Sequence, residues 1–378
     1  MLVQAPRRAR FLTTGILALV LSVLCACESK IIPLTEQEKQ HMTTFTEHMT
    51  TRCLGRYLVD LPASFILNPI QRIEIEGVEI QIEPMTKLQF SMMLKDRATG
   101  LANTTIGVRP EYPMLQETYP ISGNDDLGSV FNRAESDSNG SRGGRMLELH
   151  AWKNGYAITA NVKATDTRFP EYAGDKGIQA MEIDVPEKLA LLLAVYQRTQ
   201  GRADTEVPNG QGVCFPNGLV RGPATDQEHL DISYYLGGAP DVSFEFHSLS
   251  DIGPEDTELL DRGAAIEGSL KAKHGYTLRK GHVRGQLEGA QEWLIGYKPL
   301  DEIAYQSFTL EANSKTGSAM APLIVLDFGV GSRIPEAPLS LEEVAVRKPL
   351  SKATLSESEA IALWDVVVPT LRPRPGAF

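Results

Sequence analysis

The chain has 378 residues, of which 42% are hydrophobic and 22% charged, and its formal net charge is −11 with histidine neutral. These fractions are typical of a globular protein, and the length exceeds what one typical core organises, which predicts two domains. An acidic surface argues against nucleic acid and anionic lipid as ligands. It is compatible with a basic protein partner, although it also simply favours solubility.

The first 27 residues have the pattern of a bacterial lipoprotein signal. Three arginines precede an apolar run from Phe11 to Leu24, whose 14 residues fall short of the about 20 that span a bilayer. The segment Leu24–Cys27 fits a lipobox, so we expect cleavage after Ala26 and acylation of Cys27. Glu28 follows instead of aspartate, which favours the outer membrane and places the body of the protein in the periplasm. An ordinary cleaved signal with incidental cysteines is the alternative.

Cys53 and Cys214 are the cysteines that remain beyond this segment. In an oxidising compartment, two thiols without other partners favour a disulfide. A disulfide would close the long loop between Cys53 and Cys214. Loop-entropy models put the resulting stabilisation at up to about 5 kcal/mol. Two separate buried thiols are the alternative.

Local signals predict the elements of the first half. A capping box at Thr35–Glu38 predicts a helix over about 36–50, and the β-forming run in CLGRYLVDLP (53–62) predicts a strand. The alternation of RIEIEGVEIQIEP (72–84) changes face at Glu76–Gly77, which indicates a tight turn or a bulge. Further along we expect a helix from Thr86 to near Gly100, a hairpin over 147–164 with its turn at Asn154–Gly155, and a helix over 186–199.

The polar, Gly- and Pro-containing stretch 201–212 is predicted to be a linker. The second half then repeats the mixture of elements. We expect a strand in 214–222, paired strands in 231–248, a helix over 254–273, a hairpin over 291–313, and a helix opened by the capping box at Ser356–Glu359 and ending by Pro369.

The predicted fold is therefore α+β, with two lobes that each contain a mostly antiparallel sheet and packed helices. The boundaries are a signal peptide at 1–26, an N-terminal lobe at 27–200, the linker at 201–212 and a C-terminal lobe at 213–378. Both Trp152–Tyr156 and Trp293–Tyr297 match W-x-x-G-Y, which suggests that the lobes are related. Chance similarity of two short segments is the alternative.

Motifs that carry catalytic or metal chemistry are missing from the sequence. The seven histidines form neither H-x-H nor H-E-x-x-H, and no C-x-x-C occurs, so we expect no metal site. There is no G-x-S-x-G elbow, Walker loop or G-x-G-x-x-G, and the DFG triplet at 327–329 lacks the other kinase motifs. Nothing marks a catalytic pair among the many carboxylates. The sequence thus favours binding over catalysis, without a cofactor.

One combination of features resembles a known family. It consists of a lipobox cysteine, a short helix, the segment CLGRYLVDLP (53–62), a hairpin lobe, a linker and a lobe that opens with VCFPNGLVRG (213–222). In this order, the features resemble the Tli4-type immunity lipoproteins of the type VI secretion system over most of the mature length. The resemblance implies N- and C-terminal immunity domains and no catalytic residue. It also implies that the two lobes grip a Tle4-type phospholipase effector, of α/β-hydrolase type, in the periplasm and block substrate access.

Two polar loops of the second lobe, 222–231 and 250–261, are the candidate contacts with such a partner. Their acidic residues could steer a basic effector, and we single out Asp226, Glu228, Asp256 and Glu258. Solvated connections without a binding role are the alternative. Rival functions for the whole chain are a small-ligand-binding lipoprotein, an envelope assembly factor and a hydrolase without a recognisable motif.

Overall fold

The computed structural model describes residues 32–106, 112–122, 127–136, 143–168, 174–299, 303–331 and 350–378. The predicted signal peptide and Cys27 lie outside the described residues. The α-helices of the described ranges are Glu36–Phe45 (α1), Lys87–Asn103 (α2), Lys176–Gln179 (α3), Val185–Arg198 (α4), Gly263–Ala272 (α5) and Glu357–Val367 (α6). None of the helices in these ranges combines the length and the hydropathy that a membrane span requires.

In the described ranges, three small sheets accompany one large sheet. The strands of the small sheets are Met49–Leu54 (β1), Tyr57–Pro62 (β2) and Arg372–Pro373 (β21); Thr199–Gly201 (β12), Gly212–Phe215 (β13) and Gly218–Arg221 (β14); and Thr105–Ile106 (β6) with Tyr112–Pro113 (β7). The strands of the large sheet are Phe65–Leu67 (β3), Arg72–Ile75 (β4), Val78–Pro84 (β5), Leu115–Ser122 (β8), Leu127–Ala134 (β9), Gly144–Lys153 (β10), Tyr156–Thr165 (β11), Glu228–Leu236 (β15), Ala239–Leu249 (β16), Gly275–His282 (β17), Gln291–Tyr297 (β18), Tyr305–Ala312 (β19) and Leu323–Val330 (β20).

The large sheet runs through both halves of the chain. Its order is β17-β18-β19-β20-β16-β15-β4-β5-β11-β10-β9-β8, with β3 also paired to β15, and every pairing is antiparallel. The halves meet where β4 pairs with β15, from Ile75↔Glu228 to Arg72↔Asp231. The α+β class and the mostly antiparallel sheets are thus confirmed, and the half-sheets of the two lobes are joined edge to edge.

Side chains on one face of the large sheet form the main core. Phe244, Phe246 and Phe328 are buried there, and the Phe328 ring stacks on Trp364 of α6. Helix α4 covers the β10–β11 part of this face, with Leu192 and Val195 fully buried in the same core. The small sheets that contain β2 and β14 cover its centre, where Tyr57 meets Phe246. Apolar burial on this face therefore organises both lobes around one core.

Several local expectations differ from the structure. Helix α1 ends at Phe45 and strand β1 begins at Met49, because the β-branched run from Thr50 pairs with β2. The helix expected over 254–273 is confined to α5, after a 3₁₀ turn at Leu260–Arg262. The W-x-x-G-Y segments are not equivalent, since the first crosses the β10–β11 turn and the second lies within β18.

The segment 201–212 is held in place by two buried arginines. Arg202 donates to the carbonyls of Cys53 and Phe215, at 3.2 and 2.9 Å. Arg374, near the C-terminus, donates to the carbonyls of Pro208 and Gly212 at 2.7 and 2.6 Å. Both ends of the segment also belong to strands, β12 and β13.

Next to it, Cys53 and Cys214 form a disulfide with a Cα–Cα distance of 5.6 Å. Gly55 and Cys214 exchange two backbone hydrogen bonds, each 2.7 Å long. Gly55 has a φ of +61°, which favours glycine at this position. The motif C-x-G-R-Y thus fixes the junction between the first and second halves.

Candidate partner-binding face

Among the residues that the structure describes, those that cover the second face of the large sheet lie near its ends. Helix α2 packs over β9 and β10, where Phe90 is fully buried and Arg97 forms two hydrogen bonds with Glu148, of 2.6 and 2.7 Å. Helix α5 packs over β18, with Gly263 against the Trp293 ring. Alternate residues of the strands in between point away from the core, and we call this strip the open face: Arg72, Glu74, Glu79, Gln81, Glu83, Thr159, Asn161, Lys163, His229, Asp231, Ser233, Glu245, His247 and Asp327.

Carboxylates outnumber the lysine and arginine side chains on the open face. Arg72 is paired with Glu74 at 2.7 Å and Lys163 with Glu135 at 2.9 Å. Glu79 and Glu83, by contrast, are both exposed. The strip therefore presents a negative potential that attracts a cationic surface.

A histidine–aspartate network lines a cavity of about 380 Å³ at the centre of the open face. The Asp231 carboxylate is hydrogen-bonded to His247 Nδ1 at 2.7 Å and to His229 Nε2 at 3.2 Å. His229 Nδ1 also lies 3.1 Å from Asp251. Ile70, which is 51% exposed, stands at the rim of this cavity, so apolar and charged groups share it.

The network shifts the pKa of both of its central members. Burial would lower the pKa of His247, but the hydrogen bond and charge of Asp231 outweigh burial and raise it above its usual value. Burial would raise the pKa of Asp231, but the hydrogen bond and charge of His247 hold it below its usual range. Glu245 on the same strand and Asp327 on β20 also face His247.

We expect the pKa of the His247 imidazole to lie above the usual value of about 6.5. We expect this pKa to fall when Asp231 is replaced by asparagine. Since the folded-state pKa of His247 is raised, its stabilising effect is complete below pH ~6.5 and is lost as pH rises through the raised value. Since the folded-state pKa of Asp231 is lowered, the stabilising effect of Asp231 is lost as pH falls below ~4. NMR titration of the imidazole protons measures the shift.

Asp251→Asn is the matched control, because Asp251 contacts His229 and not His247. A wild-type His247 pKa at or below 6.5 would contradict the account, as would an unchanged His247 pKa in Asp231→Asn.

The four acidic residues predicted for partner contact occupy different environments. Asp226 and Asp256 are exposed, and Glu258 is half-buried and accepts a 2.6 Å hydrogen bond from Gln291. Glu228, one of the candidate partner contacts, does not lie at the surface. It is 4% exposed and bonded through both carboxylate oxygens to Arg56, at 2.6 and 3.0 Å, so its role is to hold the fold.

Three loops nevertheless bring Asp226 and Asp256 to the same end of the sheet. Asp226 accepts a 2.7 Å hydrogen bond from the amide of Ala319, and the amide of Glu255 donates to the carbonyl of Ser314 at 2.7 Å. Met320 in this cluster is 67% exposed. The loops therefore form one surface with acidic and apolar parts, beside the open face. Across the described ranges, no three His, Cys, Asp or Glu side chains are grouped to hold a metal ion.

Comparison with known families assigns the two halves of the chain. Residues 50–202 match the model "Tle cognate immunity protein 4 N-terminal domain", and residues 206–376 match "Tle cognate immunity protein 4 C-terminal domain". The chain belongs to the Tle cognate immunity protein 4 (Tli4) family. The division between the two Tli4 domains falls inside the segment 201–212.

Solved structures share the Tli4 fold. The apo immunity protein TplEi of the type VI secretion system of Pseudomonas aeruginosa aligns with a TM-score of 0.63 and 18% identity, over 87% of this chain and 98% of its own. A chain of a Tle4–Tli4 complex aligns with a TM-score of 0.64 and 20% identity, over 88% of this chain and 99% of its own. TplEi in complex with an "L" peptide aligns with a TM-score of 0.58 and 19% identity, over 87% of this chain and 99% of its own. No match is found among curated protein sequences.

Proposed function

We propose that this chain is an immunity protein that binds and inhibits a phospholipase effector of the type VI secretion system. The observation that carries the proposal is the match of both Tli4 domains. The similar fold of a chain solved in a Tle4–Tli4 complex supports it, because a surface that meets an effector can be built on this scaffold. The effector is of α/β-hydrolase type, as the family resemblance implies.

Inhibition works by gripping the effector and blocking substrate access. The open face, with α2 and α5 at its ends, offers a broad acidic surface to which both Tli4 domains contribute. The β4–β15 ladder and the disulfide tie the two domains together before the partner arrives. A receptor that is already ordered loses less entropy on binding. If disulfide reduction left inhibition unchanged, this contribution of the disulfide would be ruled out.

The proposed role is not enzymatic, and the histidine geometry supports this. His247 has Asp231 at Nδ1, 2.7 Å away, and Asp327 at Nε2, 3.8 Å away. A triad histidine needs one nitrogen directed at a hydroxyl or thiol nucleophile. With a carboxylate at each nitrogen, His247 is suited to charge recognition.

The proposed location is the periplasm, with a lipid anchor at Cys27 in the outer membrane. The lipobox-like segment Leu24–Cys27 supports it, since several acyl chains on one cysteine give a durable anchor. Cell fractionation tests it. Wild-type protein should sediment with outer membranes and Cys27→Ser should not, whereas identical distributions would contradict the anchor.

Complex formation tests the proposed function. The form 28–378 should bind the proposed phospholipase effector, sought among the neighbouring genes, in a one-to-one complex with nanomolar Kd, measured by calorimetry. An unrelated lipase of the same fold class is the control and should not bind. Absence of binding at micromolar concentrations would overturn the proposal. Stabilisation by a small ligand, or capture of an envelope component, would then favour a ligand-binding or an assembly lipoprotein.

A further inference from the structure

The large sheet splits between its two halves. Strand β5 pairs with β11 from Glu79↔Asn161 to Pro84↔Tyr156. It pairs with β4 only at Ile75↔Val78 and Glu74↔Glu79. Beyond the Glu74↔Glu79 pair, β4 and β3 are paired with β15 and not with β5. Segment 67–73 is therefore separated from segment 80–83. We call the space between these two segments the fork crevice.

The fork crevice is a real cavity that opens onto the open face. Its main part has a volume of about 270 Å³, and a neighbouring part of about 110 Å³ extends to Asn161. Gln71 and Gln81 line both parts. The apolar lining of the main part includes Ile73, Ile80, Ile82 and Phe215.

The edge of β5 that borders the crevice carries backbone groups directed into it. The two-residue turn Glu76–Gly77 makes Ile75 and Val78 a hydrogen-bonded pair, so by alternation Ile80 and Ile82 direct N–H and C=O toward the crevice. The carbonyl of Ile82 accepts a 3.3 Å hydrogen bond from Asn217 Nδ2, which shows that a donor reaches this edge. Along Ile80–Pro84, none of the described strands pairs with the crevice side of β5. Such an edge is a template for another strand.

The crevice has an apolar interior and an acidic rim. Phe215 and Ile73 are buried in its walls, whereas Glu79 and Glu83 are exposed where it meets the open face. Successive side chains of an extended segment point to opposite sides. A segment that fits would therefore alternate small apolar residues with lysine or arginine.

We propose that the fork crevice binds an extended, basic segment of the effector, which adds as a strand to the free edge of β5. Its backbone pairs with Ile80 and with the N–H of Ile82, whose carbonyl already accepts from Asn217. Its apolar side chains enter the crevice, and its cationic side chains meet Glu79 and Glu83. Strand addition of this kind takes affinity from main-chain hydrogen bonds and specificity from alternate side-chain pockets. The inference rests on the proposed function and names the site at which the partner is held.

Hydrogen exchange on the wild-type complex tests the backbone pairing. In free protein 28–378, the amides of Ile80 and Ile82 should exchange faster than that of Gln81, which pairs with β11. Binding of the effector should slow exchange at 80 and 82 at least tenfold and leave Gln81 little changed. Unchanged exchange at both residues in a fully formed complex would overturn the inference and leave the proposed function standing.

A blocking variant tests the cavity. Gln71→Trp places a large ring at the rim of the crevice and should weaken effector binding at least tenfold. Gln40→Trp, on the exposed side of α1, is the matched control and should bind as wild type. Wild-type affinity in folded Gln71→Trp would overturn the inference, and if this variant does not fold, the exchange experiment decides. No binding by the wild-type protein would overturn both proposals.

Discussion

Replacing Arg56 by methionine is expected to lower the free energy of unfolding by about 3–5 kcal/mol. Arg56 is 2% exposed and donates to both oxygens of Glu228, to the carbonyl of Pro223 at 2.8 Å and to that of Ala377. Methionine fills similar space but leaves the Glu228 carboxylate buried without its cation. An uncompensated buried charge costs more than the pair itself contributes.

Urea unfolding monitored by circular dichroism measures this effect. Lys39→Met is the control, because Lys39 and its partner Glu36 are 55% and 90% exposed and such pairs are worth at most about 1 kcal/mol. The double variant Arg56→Met/Glu228→Leu should recover part of the loss, since no charge remains buried. A loss below 1 kcal/mol in the single variant would contradict the structural role of this pair.

Removing the disulfide should have a comparable effect. Cys53 and Cys214 are both fully buried and are 161 positions apart. Opening a loop of that size in the unfolded chain costs up to about 5 kcal/mol of stability in the loop-entropy model. The backbone bonds between Gly55 and Cys214 remain in Cys53→Ala/Cys214→Ala, so the variant should keep the native fold with lower stability.

The reductant dependence of urea unfolding provides the control. Wild-type protein should lose stability when dithiothreitol is added, and the double variant should be insensitive to it. If the double variant were within 1 kcal/mol of oxidised wild type, the disulfide would contribute little to stability.

Elements with local causes could be predicted from the sequence. The capping boxes that begin at Thr35 and Ser356 start α1 and α6 as expected. Asn154 and Gly155 adopt the positive φ values, 51° and 89°, that a tight hairpin turn requires. Each of these signals depends on a few neighbouring residues, and a single sequence contains them in full.

Features with distant causes could not be predicted. Glu228 resembles any acidic loop residue, because its burial depends on Arg56, 172 positions earlier. The fork crevice depends on β5 leaving β4 after Glu79 to follow β11 alone, and no local pattern marks that point. The change of face at Glu76–Gly77 indicates a tight turn or a bulge, and it gives no sign of the separation beyond it.

Titration of lipase activity tests the central claim most directly. The phospholipase proposed as the partner is held at a fixed concentration while form 28–378 is added, and phospholipid hydrolysis is followed. We expect activity to fall linearly to zero at one equivalent, as for an inhibitor with nanomolar or tighter affinity. Full lipase activity at a micromolar excess would contradict the immunity function.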